Sequence, residues 1–342
     1  MLTIEGGCPM TIKDLAAQTG YSVGTVSRVL NHQPHVSELA KEIILKAAEE
    51  SGFQLNTNAK QLKQQQSNSI VVLCKGNSNE LFDTLLYALY PLVTNAGYTM
   101  SVDSVDESEH EVRRALQLCR EKKPQGILFL GGNLEHFREA FDQMRIPCVL
   151  VTTSAEELGF SNLSSVTSDD ALAATMAIRG LMELGHKDVV VIGGHREESD
   201  TTRLRYEGCV SAFREHGIAF EEKQYETARF TFADGYRAAE ALLERNSDFT
   251  ALFAMSDVMA LGAIRALSDA GKRVPQDVSV MGFDGLPIGS YTVPRLSTVA
   301  QSVEQLAQQG LNLLLDAIEN NAEASHKIVP VDLLLRESVR KL

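Results

Sequence analysis

Two sets of residues have types and spacing that can do chemistry. The first lies near the amino terminus, where Thr25, Ser27 and Arg28 fall within TVSRVLN. Short hydroxyl side chains suit phosphate oxygens, and an arginine fork suits the O6/N7 edge of guanine. The second is spread over the rest of the chain, at the ends of apolar runs: Asn79 and Phe82 after the first run, Arg205 in RYEG, Ser256 and Asp257 in MSDVMALG, and Asp284 in MGFDG. A guanidinium fork can bind hydroxyls or a carboxylate, and a carboxylate can accept two hydroxyl bonds. With an aromatic platform these are the parts of a small-molecule pocket. Each also has a plainer role open to it: Asp257 as a helix cap, Phe82 as core, and Arg205 and Asp284 as an ion pair with each other.

The first set needs short helices to hold it. Thr11 can cap one, with Asp14 three residues on, Leu15 and Ala16 on the apolar face and Gly20 as the stop. Ser22 can cap a second that runs through Val29 and Leu30. Ser37 can cap a third, whose Leu39, Ile43, Ile44 and Ala47 are expected to close a small core. Helix, glycine turn and helix form helix-turn-helix geometry, although a helical bundle with no DNA role has the same pattern. Phe53–Ser69 is polar and Gln/Asn-rich, as a linker is.

From Ser69 onward, apolar runs alternate with amphipathic windows. Strands are expected at Ser69–Cys74, Thr99–Val105, Gly126–Leu130, Cys148–Thr152, Val189–Ile192, Thr250–Met255 and Val278–Met281. They are near-continuous apolar runs, as in strands buried on both faces, with helices between them. Strand–helix alternation implies parallel sheets. The pattern runs through about two similar halves, so the expected fold class is α/β, with two doubly wound parallel-sheet lobes behind an all-α head. Ligands in that architecture sit at the carboxyl ends of strands, here in the cleft between lobes. After Gln301 the chain is expected to return to the first lobe with a helix over Ser302–Asn320, and Val331–Val339 to rejoin the second.

Composition narrows the function. The net charge is −13, yet the first 66 residues carry six basic and six acidic side chains, so all of the excess lies in the remainder. If DNA is bound, the neutral head must bind it, drawing on dimerisation and on base or shape readout. Cys8, Cys74, Cys119, Cys148 and Cys209 are odd in number and show no metal spacing, and Cys74 and Cys148 fit apolar strands as small hydrophobes. No run is long enough to span a membrane, and Met1–Met10 has neither a basic nor an apolar secretory region, so the cytoplasm is expected. No phosphate-binding glycine motif or G-x-S-x-G occurs. The expectation is therefore no catalytic residue, no metal and no cofactor. A sugar-acting enzyme or a sugar-binding transport protein of similar two-lobed fold is the alternative.

The run from Thr11 to Asn31, ending in TVSRVLN, resembles the LacI/GalR-type bacterial transcription regulators, and the likeness continues through both lobes to LLRES near the carboxyl terminus. The resemblance implies a repressor with a helix-turn-helix head at 10–55, a hinge at 56–68 and a periplasmic-binding-protein-like effector domain at 69–342. Lobe 1 would take about 69–165 with 302–325, and lobe 2 about 166–300 with 326–342. It implies a homodimer on a pseudo-palindromic operator, a small effector, expected to be a neutral sugar, in the cleft, and Met10 as the natural start. Finding Met1 by N-terminal sequencing of the native protein would refute that start.

By the same resemblance Val23, Gly24 and Arg28 read bases, and Thr25, Ser27 and Asn31 contact phosphates. The caps Thr11 and Ser22 are counted with them. Asn56, Ala59, Lys60 and Leu62 match a hinge helix whose leucine wedges into the minor groove. Asn79, Phe82, Arg205, Ser256, Asp257 and Asp284 match cleft positions, as does Phe230. The chain departs from the pattern in places. Gly24 offers no side chain to a base, Leu55 stands where proline is usual, and Thr152 stands where an acidic residue is common.

Overall fold

The computed structural model describes residues 12–30, 36–51, 68–76, 79–245 and 248–342. Thr11, Asn31, Asn56, Ala59, Lys60 and Leu62 lie outside the described residues. The chain divides into two compact units, 1–65 and 66–342.

Among the described residues the first unit holds three helices, Ile12–Thr19, Val23–Leu30 and Glu38–Glu50. Gly20 ends the first helix with φ +71°, a left-handed conformation that costs glycine nothing. Ser22 caps the second, its Oγ accepting from the Thr25 N–H at 3.2 Å. Ser37 caps the third by accepting from Ala40 N–H at 3.4 Å. The core is Leu15, Ala16, Val26, Val29, Ala40, Ile44 and Ala48. Two residues expected in it are not there: Leu39 is 66% exposed and Ile43 39%. With Ser37 as cap, the inward stripe is 40, 44 and 48, and Leu39 and Ile43 sit one position, about 100°, off it.

The second unit holds two six-stranded sheets. The first contains β1 (Ser69–Lys75), β2 (Thr99–Val105), β3 (Gly126–Leu130), β4 (Cys148–Val151), β5 (Leu163–Ser168) and β11 (His326–Val329), in the order β2-β1-β3-β4-β5-β11, all parallel. The second contains β6 (Val189–Gly193), β7 (Tyr225–Thr227), β8 (Ala251–Ala254), β9 (Ser279–Asp284), β10 (Ser297–Gln301) and β12 (Val331–Leu334), in the order β7-β6-β8-β9-β10-β12. Only β12 runs antiparallel, against β10. Both sheets wind alike, and strand order reverses between β1 and β3 and between β6 and β8. Such switch points open a crevice at the strand carboxyl ends.

Helix Val303–Asn320 packs in the first lobe, on β3 to β5 and helix Glu80–Asn95. In the second lobe a methyl at Gly208 would collide with the Ala171 carbonyl, so helices Asp170–Glu183 and Asp200–Glu215 meet backbone to backbone there. The lobe boundaries fall a few residues later than the sequence suggested. Ser165–Ser168 pairs with His326–Val329 inside the first sheet, so the crossings follow Ser168 and Val329 instead of 165 and 325. β2 is not buried on both faces, since it is the sheet edge and most of it is partly or fully exposed. Cys74, Cys148 and Cys209 are buried, and burial pushes their thiols up, Cys74 to about 12. Among the described residues, no helix is long and apolar enough to cross a membrane.

Candidate functional site

Loops at the carboxyl ends of both sheets enclose a cavity of about 140 Å³. That is below the roughly 300–1,000 Å³ of sites for drug-sized ligands, and suits one small ring. Five of the sequence candidates line it: Asn79, Phe82, Arg205, Phe230 and Asp284.

The two phenyl rings occupy equivalent places. Phe82 lies against Gly131 at the end of β3, where a glycine Cβ would come within 2.8 Å of its Cζ. Phe230 lies against Gly194 at the end of β6, where a Cβ would be 2.8 Å from its Cε2. Bare backbone at the two strand ends lets the rings form part of the wall. Asn79 caps helix Glu80–Asn95, its Oδ1 accepting from Leu81 N–H at 3.0 Å. Its side-chain NH2 is therefore what it can offer a ligand.

Arg205 does not pair with Asp284. Its Nε donates to Asp170 Oδ1 at 2.7 Å and its Nη1 to the Met255 carbonyl at 2.7 Å, while its guanidinium lies 3.8 Å from the centre of the Phe283 ring. Both members of the Arg205–Asp170 pair are buried. Burial pushes the Asp170 carboxyl up, and Arg205 pulls it back. Asp284 is held by Gln301, whose Nε2 donates to its Oδ1 at 2.9 Å, and Gln301 Oε1 accepts from Ser168 Oγ at 3.0 Å. Burial pushes the Asp284 carboxyl up to about 6, against the pull of Arg205 and Gln301.

Backbone strain also gathers here. Among the described residues four non-glycines have positive φ. Lys123 and Asn321 do so as helix C-caps. The others, Thr152 (φ 74°) and Asp284 (φ 111°), end β4 and β9 and line the cavity. Strain of this kind persists where the surroundings over-determine the backbone, commonly at ligand sites.

Ser256 and Asp257 do not line the cavity. Ser256, not Asp257, caps helix Asp257–Asp269, its Oγ accepting from Met259 N–H at 3.2 Å. Asp257 is the first helical residue and is buried under the loop after β9, accepting from Leu286 N–H at 2.6 Å. Its Oδ1 is buried without a partner, and burial beside Asp284 pushes the carboxyl up to about 8.

Several site residues escaped the sequence reading. Ser199, which caps helix Asp200–Glu215, lines the cavity with Thr201 and Thr202. The S-x-x-T start was the available signal. Across the mouth, Arg229 Nε lies 3.7 Å from Glu107 Oε2, its Nη2 lies 3.8 Å from Asp106 Oδ1, and Asn133 Nδ2 donates to Glu198 O at 3.3 Å. Lys75 lines the wall, and its Nζ donates to Glu111 Oε2 at 2.8 Å. Glu111 also meets His136 Nδ1 at 2.7 Å and accepts from Asn133 N–H at 2.6 Å. His110, Glu111 and His136 place possible metal ligands together. The two imidazoles, however, stack face to face at 4.1 Å, so their in-plane lone pairs do not converge on one ion.

In the first unit Val23, Gly24 and Arg28 are exposed on the second helix, Val23 by 42%. Ser27 is partly buried, and Thr25 Oγ1 lies 2.9 Å from Ser22 Oγ. A Cβ at Gly24 would meet only Ser22 Oγ at 3.8 Å and Arg28 Nη2 at 4.0 Å, so neither packing nor φ requires glycine there.

The family model described as bacterial regulatory proteins, lacI family, matches residues 11–56, and that of a periplasmic binding protein-like domain matches 178–339. The chain is 33% identical to the HTH-type transcriptional regulator MalR of Clostridium butyricum, over 96% of this chain and 99% of that protein. It is 31% identical to the ribose operon repressor of Halalkalibacterium halodurans, over 96% and 97%. Among solved structures, a transcriptional regulator CelR–cellobiose complex aligns with TM-score 0.70 at 25% identity, over 96% of this chain and 99% of that one. A LacI family regulator from Enterococcus faecium with bound ribose aligns with TM-score 0.70 at 26%, over 80% and 99%. Helix-turn-helix head, twin doubly wound lobes and full-length similarity agree, and the chain belongs to the lacI family of bacterial regulatory proteins.

Proposed function

We propose that the chain is a cytoplasmic, non-enzymatic repressor that binds a pseudo-palindromic operator as a homodimer and is controlled by a neutral sugar in the interlobe cavity. The observation that carries the sugar reading is the cavity itself. A buried arginine fork, a buried carboxylate, an amide and two phenyl rings converge at the carboxyl ends of both sheets. A relative named for ribose, and solved relatives holding ribose or cellobiose, support the same class of ligand. Asn79, Phe82, Arg205, Phe230 and Asp284 are the proposed ligand set.

On the DNA side, Val23, Gly24 and Arg28 are the proposed base readers, with Thr25, Ser27 and Asn31 on phosphates and Leu62 as the hinge wedge. Exposure of Val23, Gly24 and Arg28 on one short helix supports this. A sugar acts through its different affinities for two lobe arrangements, only one of them competent for DNA.

Thermal unfolding against D-ribose, D-glucose, maltose and cellobiose tests the ligand reading. A ligand at a hundred times its dissociation constant adds about 2.7 kcal/mol, which raises the midpoint by several degrees. The rise should vanish in Asp284→Ala. A sugar that raises both midpoints equally removes the cavity from the account.

A further inference from the structure

The wall of the cavity contains one hydroxyl that is fully buried and has no partner within the protein. Thr202 is fully buried at the start of helix Asp200–Glu215, and its Oγ1 has no hydrogen-bond partner. Its neighbours are all engaged. Ser199 Oγ bonds Thr201 Oγ1 at 2.9 Å and accepts from Thr202 N–H at 3.3 Å. The carbonyl one turn back, Glu198 O, accepts from Asn133 across the cleft. A helical threonine ordinarily spends its hydroxyl on such a carbonyl. Thr202 Oγ1 instead lies against bare backbone, 2.8 Å from where a Cβ at Gly194 would stand. The Phe230 ring edge is equally close to that point, and all three residues line the cavity.

A buried hydroxyl without a partner is costly, and such groups in folded proteins ordinarily have one. From the geometry we propose that Thr202 selects the ligand, hydrogen-bonding a ring hydroxyl of a sugar whose apolar face packs on Phe230. This rests on the sugar reading above. Discrimination follows from the chemistry: a site built to bond a hydroxyl rejects the analogue that lacks it, because the protein group is then left stranded.

Thr202→Val keeps the shape and removes the hydroxyl, and Thr202→Ser keeps the hydroxyl. Unliganded unfolding midpoints and calorimetric dissociation constants are measured for wild type and both variants. The probes are D-ribose, D-glucose, maltose and cellobiose, with monodeoxy analogues of whichever binds. The valine variant should unfold, without sugar, no lower than wild type, because no protein bond is lost. Its affinity for the bound sugar should fall about tenfold, and Thr202→Ser should restore it. One deoxy analogue should bind wild type about tenfold more weakly than the parent sugar, yet bind the valine variant as well as the parent does.

A lower unliganded midpoint in Thr202→Val overturns the proposal, since the hydroxyl then has a partner within the protein. A sugar that binds wild type and Thr202→Val equally overturns this assignment alone. Failure of every sugar to bind wild type overturns the sugar reading and this assignment with it.

Discussion

Removing the Arg205 guanidinium tests the cavity most severely, because the same group has a structural partner and faces the ligand space. In Arg205→Ala, Asp170 stays buried with its cation gone, and the Met255 carbonyl loses its donor. Breaking a buried pair from one side costs about 3–5 kcal/mol. At about 2 °C or more per kcal/mol for a domain above 150 residues, the midpoint should fall by at least about 6 °C.

The deficit should also depend on pH. Burial already holds the Asp170 carboxyl above its ordinary value, and Arg205 opposes that rise. Without the arginine the folded-state value climbs further above the unfolded one. A raised carboxyl gives stability that is present below its unfolded pKa and is lost as pH rises toward the folded value. The variant's deficit should therefore be smaller at pH 5 than at pH 8, as read by urea unfolding at both. Arg205→Met with Asp170→Leu should recover most of the stability, since apolar replacement of both partners is often neutral, and should still bind no sugar. A deficit below about 1 kcal/mol, the same at both pH values, would refute the buried-pair reasoning.

Other outcomes follow from the same geometry. Ser256→Ala should cost about 1 kcal/mol through the lost helix cap and leave sugar affinity unchanged by calorimetry, because Ser256 is outside the cavity. Asp257 is pushed up to about 8, so its ionisation costs stability progressively from the ordinary carboxylate range to pH 8; Asp257→Asn should stabilise the chain at pH 8 more than at pH 5 in denaturant melts. Gly24→Ala should stabilise its helix by about 0.5–1 kcal/mol, and selection from random duplexes should give it an altered operator, since nothing in the fold requires glycine there.

Most strands were legible because they are apolar on both faces, as β3 and β4 are throughout. β5 and β10 were not, for a definite reason. β5 reads LSSVTS and β10 STVAQ, yet every residue of β5 is buried and only Ala300 of β10 is not. Their hydroxyls are satisfied internally: Ser165 Oγ by Ala155 N–H and His326, Ser164 Oγ by Ser325 N–H, and Ser297 Oγ by Arg336 N–H. A hydropathy pattern cannot register a polar strand whose partners come from distant segments. β7 has three residues and offers too little pattern.

The same limit governed the site. Arg205 and Asp284 stood out as charges at the ends of apolar runs. Asp170 did not stand out because it follows Asp169, which caps the helix by accepting from Leu172 N–H at 2.9 Å. Gln301 was hidden because its strand was. Asp257 looked like a ligand or a cap by position, but its burial beneath the β9 loop comes from tertiary packing that spacing alone does not encode.

The central claim is that a sugar in the cavity sets the affinity for DNA. Its most direct test is fluorescence anisotropy of the full chain on a duplex that it has selected from a random library, at fixed salt, with and without each sugar. At least one sugar should change the apparent Kd by tenfold or more, and Asp284→Ala should abolish the change. Selection of no duplex, or a selected duplex bound equally with and without every sugar, would contradict the account.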